Sequence, residues 1–202
     1  MSTTPKPIRY SRAQATQMFL DASIELIDTK PIPDITVQEI ATMVGLNHGY
    51  VHRYFGTRVD LFTAVADELA RLLLDSVSAE QERRSHAGDQ REPFDQSLIA
   101  LARPLALKRL HVIQYLLAAG VDPARFGEES RAIIELGTQQ LISIGMSPRM
   151  ATAQAIKTNV LLWAREALTP SFGLNDAEVD DVAALTLIEL ANADALSKQL
   201  GW

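Results

Sequence analysis

Hydrophobic and polar positions along the chain repeat mostly with the period of an α-helix, and glycine and proline cluster between the periodic segments. Few segments alternate in the manner of strands, so the pattern predicts an all-α fold. Residues 80–93 have almost no apolar content and predict a solvated loop. The predicted helices span residues 36–44, 48–55, 58–78, 94–103, 105–118, 128–143, 148–168 and 176–200, with Pro104 separating the fourth from the fifth.

The segment 36–62 has the pattern of two short helices joined by a glycine turn and followed by the start of a third helix. Thr36 and Glu39 have the spacing of a capping box at the first of these helices. Gly45 stands where that helix is expected to end with a positive φ angle. Four residues are predicted to form its buried face: Val37, Ile40, Ala41 and Val44.

The second helix of this segment is only about two turns long. Asn47 is suited to cap it, and Val51 and Phe55 share one face that is expected to hold it on the domain. Its other faces carry many polar and aromatic side chains, as expected of a helix that enters the DNA major groove. Thr57 and Asp60 predict a cap for the helix that follows.

The segment 36–62 resembles the N-terminal DNA-binding domain of the tetracycline-repressor-like (TetR) family of transcription regulators, and residues 19–27 resemble the first helix of that domain. The resemblance covers about residues 12–65. This chain has His52 where the family commonly has tyrosine, Arg58 where it has lysine, and a proline-containing loop where it often has glycine after the first helix. The resemblance implies a three-helix helix-turn-helix domain at residues 1–60, arm included, and a larger helical domain for effector binding and dimerisation at 61–202.

Ten residues of the first domain are predicted to face DNA. Four are expected to contact base edges or the phosphates beside them: Asn47, His48, Tyr50 and Arg53. Gly49 would let the backbone approach closely, and five others would hold phosphates and set the register: Thr36, Gln38, His52, Tyr54 and Arg58. The alternatives are that His52 and Tyr54 are surface or core-edge residues and that Arg53 is a solvated charge.

Composition and charge agree with this interpretation. The chain has 202 residues, 47% of them hydrophobic, and no cysteine, which excludes a disulfide framework and a thiolate metal site. It shows no uncharged apolar run of about 18 residues and no apolar signal segment, so we expect a cytoplasmic protein without a membrane partner. The formal net charge is −6, but basic and acidic residues balance over 1–60, so the DNA-facing surface can still be positive.

The last two long helices carry apolar stripes that are wider than a surface helix needs. Helices of this kind are buried on two sides, once against their own core and once against a partner, and the resemblance likewise implies a homodimer formed through a four-helix bundle. Twofold symmetry would then require a palindromic double-stranded operator. The alternative is a monomer with a large core. The predicted interface residues are Ile156, Val160, Ala164, Val179, Val182, Ala183, Leu187 and Leu190.

The resemblance also implies a cavity for a small effector in the C-terminal domain, and such pockets are mostly apolar with a few placed polar groups. Six residues within apolar helical runs are candidates for its lining: Arg103, His111, Gln114, Tyr115, Asn159 and Trp163. The alternative for each is an ordinary core residue. A small apolar effector would act by favouring a domain arrangement that no longer matches the operator half-sites.

Other classes of function fit the sequence less well. The chain has no glycine-rich phosphate loop, and its four histidines do not form a ligand set, although His48 and His52 lie four positions apart. We therefore predict no catalytic residues, no metal and no cofactor. A helical protein that binds apolar ligands or partner proteins would explain the C-terminal domain but not residues 36–62. The sequence thus predicts an effector-responsive DNA-binding regulator, with repression as the usual mode of the family it resembles.

Overall fold

The structure is a computed structural model that describes residues 10–87 and 96–202, except for the side chains of residues 87, 96–97, 99, 162–172, 176, 179, 183 and 187. The described residues form helices and turns without a strand. This confirms the predicted all-α fold. The α-helices are α1 (Arg12–Ile27), α2 (Val37–Met43), α3 (Gly49–Tyr54), α4 (Arg58–Ala87), α5 (Gln96–Ala118), α6 (Gly127–Ser143), α7 (Pro148–Phe172), α8 (Asp176–Ala191) and α9 (Ala193–Leu200).

The described chain divides into two compact units. The first unit comprises the residues up to 69 together with 108–123, and the second comprises 70–107 and 124–202 apart from the undescribed stretch. The helices α4 and α5 each contribute residues to both units, because the divisions at 69 and 107 fall inside them.

The first unit is built around the first three helices. Ser11 and Gln14 form a complete capping box at the start of α1, and this helix contacts both α2 and α3. Phe19 on α1, Ile40 on α2 and Val51 on α3 are fully buried. These three apolar side chains fix the short α2 and α3, since neither helix is long enough to be stable alone.

The long α4 continues through residues that the sequence assigned to a loop. Residues 80–87 are helical, because Glu80 accepts hydrogen bonds from Arg83 at 2.6 and 2.7 Å and from Arg84 at 2.8 Å along the helix. Both arginines hold the pKa of Glu80 at about 2. The prediction of a solvated loop is therefore wrong for 80–87, while residues 88–93 lie outside the described part of the chain.

Three further helix boundaries differ from the sequence prediction. The helix α5 runs continuously through Pro104, and α7 continues through Pro170 to Phe172. The predicted last helix, 176–200, is divided in two at Asn192, whose backbone N–H bonds to carbonyls of α8 and whose carbonyl begins α9. Pro104 is tolerated because its missing N–H and steric clash cost about 3 kcal/mol, which the packing of its neighbours Ala102, Leu105 and Ala106 offsets.

The second unit has two apolar clusters. One contains Leu141 of α6 with Met150, Ala151 and Ala155 of α7, and it explains the close pairing of these two helices. The other contains Leu73 and Val77 of α4 and Leu98 of α5. Residues of both clusters contribute to the wall of a cavity.

Candidate functional site

The start of α2 is fixed by a cap and by an ion pair. The hydroxyl of Thr36 accepts a hydrogen bond from the Glu39 N–H at 3.2 Å. The Glu39 carboxylate does not return to Thr36 as the predicted capping box requires; it accepts a hydrogen bond from Lys30 at 2.5 Å. This bond lowers the pKa of Glu39. The capping box is therefore only half formed, and its acidic member instead ties α2 to the loop after α1.

The turn between α2 and α3 has the predicted glycine geometry. Gly45 has a φ angle of 66°, and the side chain of Asn47 accepts a hydrogen bond from the Gly49 N–H at 2.8 Å. A Cβ atom at Gly49 would lie 3.0 Å from that side-chain oxygen, so glycine keeps this turn compact. The helix α3 begins at Gly49 and ends at Tyr54, one residue inside the predicted 48–55 at each end.

The short α3 buries one residue and exposes most of the others. Val51 is fully buried. Six residues that were predicted to face DNA are exposed here: Asn47, His48, Gly49, Tyr50, His52 and Arg53. Thr36 and Gln38 at the start of α2 are exposed as well. Arg53 has no hydrogen-bond or ion-pair partner among the described residues. Its guanidinium is thus accessible to a guanine edge or to a phosphate.

Two of the residues predicted to contact phosphates, Tyr54 and His52, are oriented by contacts within the protein. Tyr54 is half-buried; its ring centroid lies 5.5 Å from that of Tyr50 and 5.5 Å from the guanidinium of Arg12. His52 remains exposed while its Nδ1 lies 3.0 Å from the Gly56 carbonyl at the end of α3. The aromatic and imidazole rings are therefore held in place on the surface rather than free to rotate.

Arg58 differs from the other predicted DNA contacts, because its guanidinium points into the first unit. Its Nε donates a hydrogen bond to the Ile35 carbonyl at 3.0 Å, one Nη donates to the Tyr115 hydroxyl, and the other donates to the Ile32 carbonyl. The guanidinium also lies 5.0 Å from the ring centroids of Phe62 and Tyr115. All three nitrogens are in use, so this geometry corrects the expected role of Arg58 from phosphate contact to a link within the unit.

The junction between α3 and α4 is closed by the predicted cap. The Asp60 carboxylate accepts hydrogen bonds from the Thr57 N–H at 2.8 Å and from its hydroxyl at 2.7 Å. The Thr57 backbone N–H is the main cause of the lowered pKa of Asp60. Gly56 has a φ angle of 102°, and a Cβ there would lie 2.8 Å from the same carboxylate. This junction sets the direction of the chain after the exposed α3.

The second unit contains a cavity of about 260 Å³. Two of the six predicted pocket residues, Arg103 and Asn159, line it, and the side chain of Trp163 lies outside the described ones. Sequence reasoning missed Gln140 and Gln154, which also line the cavity and are only 7% and 6% exposed. Both are single polar residues within helices, so nothing in the sequence distinguished them from surface glutamines.

The other three predicted pocket residues belong to the first unit. His111, Gln114 and Tyr115 lie on α5 around a depression formed with Lys30 and residues 31–33 of the loop after α1. The six candidates therefore do not form a single site. The division follows from the length of α5, since residues 96–107 of this helix lie in the second unit and 108–118 in the first.

The helices α7 and α8 carry exposed apolar side chains. Ile156 and Val160 on α7 and Val182 on α8 are 39%, 58% and 46% exposed. Leu185 and Ile188, which were not among the predicted interface residues, are 61% and 58% exposed. Leu190 packs against the cluster of Leu141 and lines the cavity, so it faces inward rather than toward a partner. The side chains of the remaining candidates lie outside those described: Ala164, Val179, Ala183 and Leu187.

The described residues contain no group of three or more His, Asp or Glu side chains placed to hold a metal ion. None of the described helices is both long and apolar enough to cross a membrane.

Comparison with known proteins agrees with the geometry of the first unit. Residues 19–65 match the family model described as bacterial regulatory proteins, tetR family. The match contains α2, its glycine turn, α3 and the junction to α4, and it confirms the resemblance drawn from the sequence. No curated protein matches the chain. Residues 19–65 are thus similar to the N-terminal domain of tetR-family regulators, and this domain supports a DNA-binding transcription regulator of that family.

Proposed function

We propose that the chain is a repressor that binds a palindromic operator as a homodimer and is released from it by a small-molecule effector held in the cavity of the second unit. The exposed side of α3 carries the proposal for DNA binding. Arg53 is exposed there and has no partner within the described part of the chain, while the buried Val51 fixes the helix that presents it. We assign base or phosphate contact to Asn47, His48 and Tyr50 on the same grounds, with Thr36, Gln38, His52 and Tyr54 holding phosphates.

The acidic net charge is compatible with this role. Of the basic residues in the first unit, Lys30 is paired with Glu39, Lys108 with Asp28 at 2.6 Å, and Arg58 is used internally. Arg53 therefore supplies the exposed cationic group at the centre of α3. Binding that depends on local neutralisation of phosphates needs such a group at the contact and does not need a positive protein.

The experiment is selection of bound fragments from random double-stranded DNA by the full-length protein, followed by gel-shift titration of the selected operator. We expect a palindrome with half-sites about one helical turn apart. We expect Arg53→Ala to weaken operator binding about tenfold to a hundredfold, since a bidentate contact to guanine contributes about 1–3 kcal/mol. Arg131→Ala is the control of equal charge, because this arginine is exposed on α6 in the second unit.

The salt dependence separates the two roles open to Arg53. Loss of a base contact relaxes specificity at one operator position, whereas loss of a phosphate contact weakens all sequences alike and reduces the salt slope by about one. Failure to select any palindrome, together with equal affinities for Arg53→Ala and the parent protein, would contradict the proposal.

A further inference from the structure

The cavity of the second unit contains a buried amide nitrogen without a partner. Gln140 projects from α6 into the cavity wall, and its Nε2 is inaccessible to solvent and makes no hydrogen bond among the described residues. A buried N–H group that has lost its water partners without gaining an acceptor is disfavoured, and such groups are rare in folded proteins. Because Gln140 lines the cavity, a ligand bound there lies against its side chain, whose terminal amide can turn its nitrogen toward an acceptor.

The other hydrogen-bonding groups in the cavity wall differ from Gln140. The side chains of Asn159 and Thr186 each donate to a carbonyl of their own helix at 2.9 Å. Arg103, the charged residue of the described wall, takes part in an interaction of its own. Gln154 brings a second amide to the wall from α7, but neither of its polar atoms is both buried and unpaired. Among the described residues of the wall, the buried side-chain donor that lacks an acceptor is therefore the amide nitrogen of Gln140.

The rest of the wall limits the size and polarity of a ligand. Leucine, isoleucine, valine and alanine side chains from α4, α5 and α6 form most of it, among them Leu73, Val77, Leu98 and Leu136. An apolar cavity of roughly 150 Å³ binds benzene, so by proportion a cavity of this size accommodates about ten non-hydrogen atoms. A molecule with several polar groups would lose hydration there without compensation.

We propose that this cavity binds a neutral, largely apolar molecule that carries one hydrogen-bond-accepting oxygen, a carbonyl or an ether, and that the amide nitrogen of Gln140 donates a hydrogen bond to that oxygen. This inference rests on the proposed function, because it assumes that this cavity is the effector site. It adds the chemical class of the effector and the residue that determines specificity.

The test uses two probes with the same number of non-hydrogen atoms, the ketone propiophenone and the hydrocarbon 2-phenylbutane. The carbonyl oxygen of the ketone takes the place of a methyl group of the hydrocarbon. Each is titrated calorimetrically into the full-length protein without DNA. We expect Gln140→Leu to lower the affinity for the ketone relative to the hydrocarbon by about tenfold, the usual effect of one buried hydrogen bond. Gln139→Leu is the matched control, because Gln139 is the exposed neighbour on α6 and pairs with Glu135.

A change in the relative affinity that is confined to Gln140→Leu supports the proposal. Gln140→Met, which keeps the length of the side chain without a donor, is used as well, and thermal unfolding verifies that each variant is folded. An unchanged relative affinity in both Gln140 variants would overturn the role of this residue, and the absence of binding of either probe to the parent protein would overturn the ligand class. Operator selection is measured separately, so neither result depends on DNA binding.

Discussion

The position of Arg58 in the sequence favours a contact with DNA, whereas its position in the fold favours a role in stability. It follows the exposed α3 by four residues and carries a positive charge, which favours a phosphate contact. Its guanidinium instead donates to two carbonyls of the loop after α1 and to the Tyr115 hydroxyl of α5. The acceptors lie more than 20 residues before it and 57 residues after it, so no local pattern could indicate them.

We predict that Arg58→Ala destabilises the first unit. The substitution leaves two backbone carbonyls and a phenol without their donor and removes the packing of the guanidinium against the rings of Phe62 and Tyr115. Hydrogen bonds to a charged group contribute about 1.5–3 kcal/mol, so we expect the free energy of unfolding to fall by about 2–3 kcal/mol. Urea unfolding followed by circular dichroism measures this change.

Arg53→Ala is the control for this prediction, because it removes the same side chain from an exposed position. We expect its unfolding free energy to remain within about 0.5 kcal/mol of that of the parent protein. The two substitutions should therefore have different effects: Arg58→Ala lowers stability, and Arg53→Ala lowers operator affinity. Equal unfolding midpoints for both variants would show that the internal contacts of Arg58 contribute nothing.

At the scale of the helices, local signals were sufficient for the first unit and insufficient for the second. Thr36 and Gly45 act on neighbours within four positions, so their spacing indicated the cap of α2 and the turn after it. The predicted cap Asn47 accepts a bond from the Gly49 N–H, but the N-cap residue of α3 is His48. The periodicity of Val37, Ile40 and Val51 likewise identified side chains that are buried. These residues allowed the helix-turn-helix to be predicted from the sequence.

The boundaries that were predicted incorrectly depend on interactions that a local pattern does not contain. Pro104 lies inside α5, where Ala102, Leu105 and Ala106 pack against the cluster of Leu73 and outweigh the loss of one backbone hydrogen bond. Likewise, the pocket residues could not be assigned to one cavity from the sequence, because α5 contributes to two units. Tertiary packing decided both features.

We predict that the cap of α4 depends on the ionisation of Asp60. The folded-state pKa of Asp60 lies below its ordinary value of 3.8, since Thr57 donates two hydrogen bonds to the carboxylate. A lowered folded-state pKa means that this stabilisation is complete above 3.8 and is lost as the pH falls through the lower value. Asp60→Asn should therefore unfold at a lower temperature than the parent protein near neutral pH, with the difference shrinking as the pH falls below 3.8.

Thermal unfolding of both proteins over a pH series measures this difference. Asp34→Asn is a suitable control, because Asp34 is exposed and its carboxylate makes no hydrogen bond with the described residues. A difference between Asp60→Asn and the parent protein that stayed constant across the acidic range would show that the charge on Asp60 does not hold the cap.

At the scale of the whole molecule, α7 and α8 carry large apolar side chains that the rest of the described chain leaves exposed. Val160, Leu185 and Ile188 are each more than half exposed, although leucine, isoleucine and valine are usually buried. Several large apolar side chains exposed on neighbouring helices are typical of an interface with another chain. The proposed occupant is a second copy, because a twofold axis would repeat both the apolar side chains and α3, as the proposed palindromic operator requires.

We predict that Leu185→Glu converts the proposed homodimer into a monomer. A carboxylate placed in an apolar interface loses its hydration without a partner, so we expect the dissociation constant of the dimer to rise at least about a hundredfold. Sedimentation velocity at micromolar concentration measures this change, and Leu101→Glu, at an exposed leucine on α5, is the control that should remain dimeric.

Because two linked recognition helices bind the palindrome far more tightly than one, the Leu185→Glu protein should lose most of its affinity for the full operator but bind an isolated half-site as the parent does. A Leu185→Glu protein that remained dimeric would place the interface elsewhere, and a monomer with undiminished affinity for the full operator would show that dimerisation is not part of recognition.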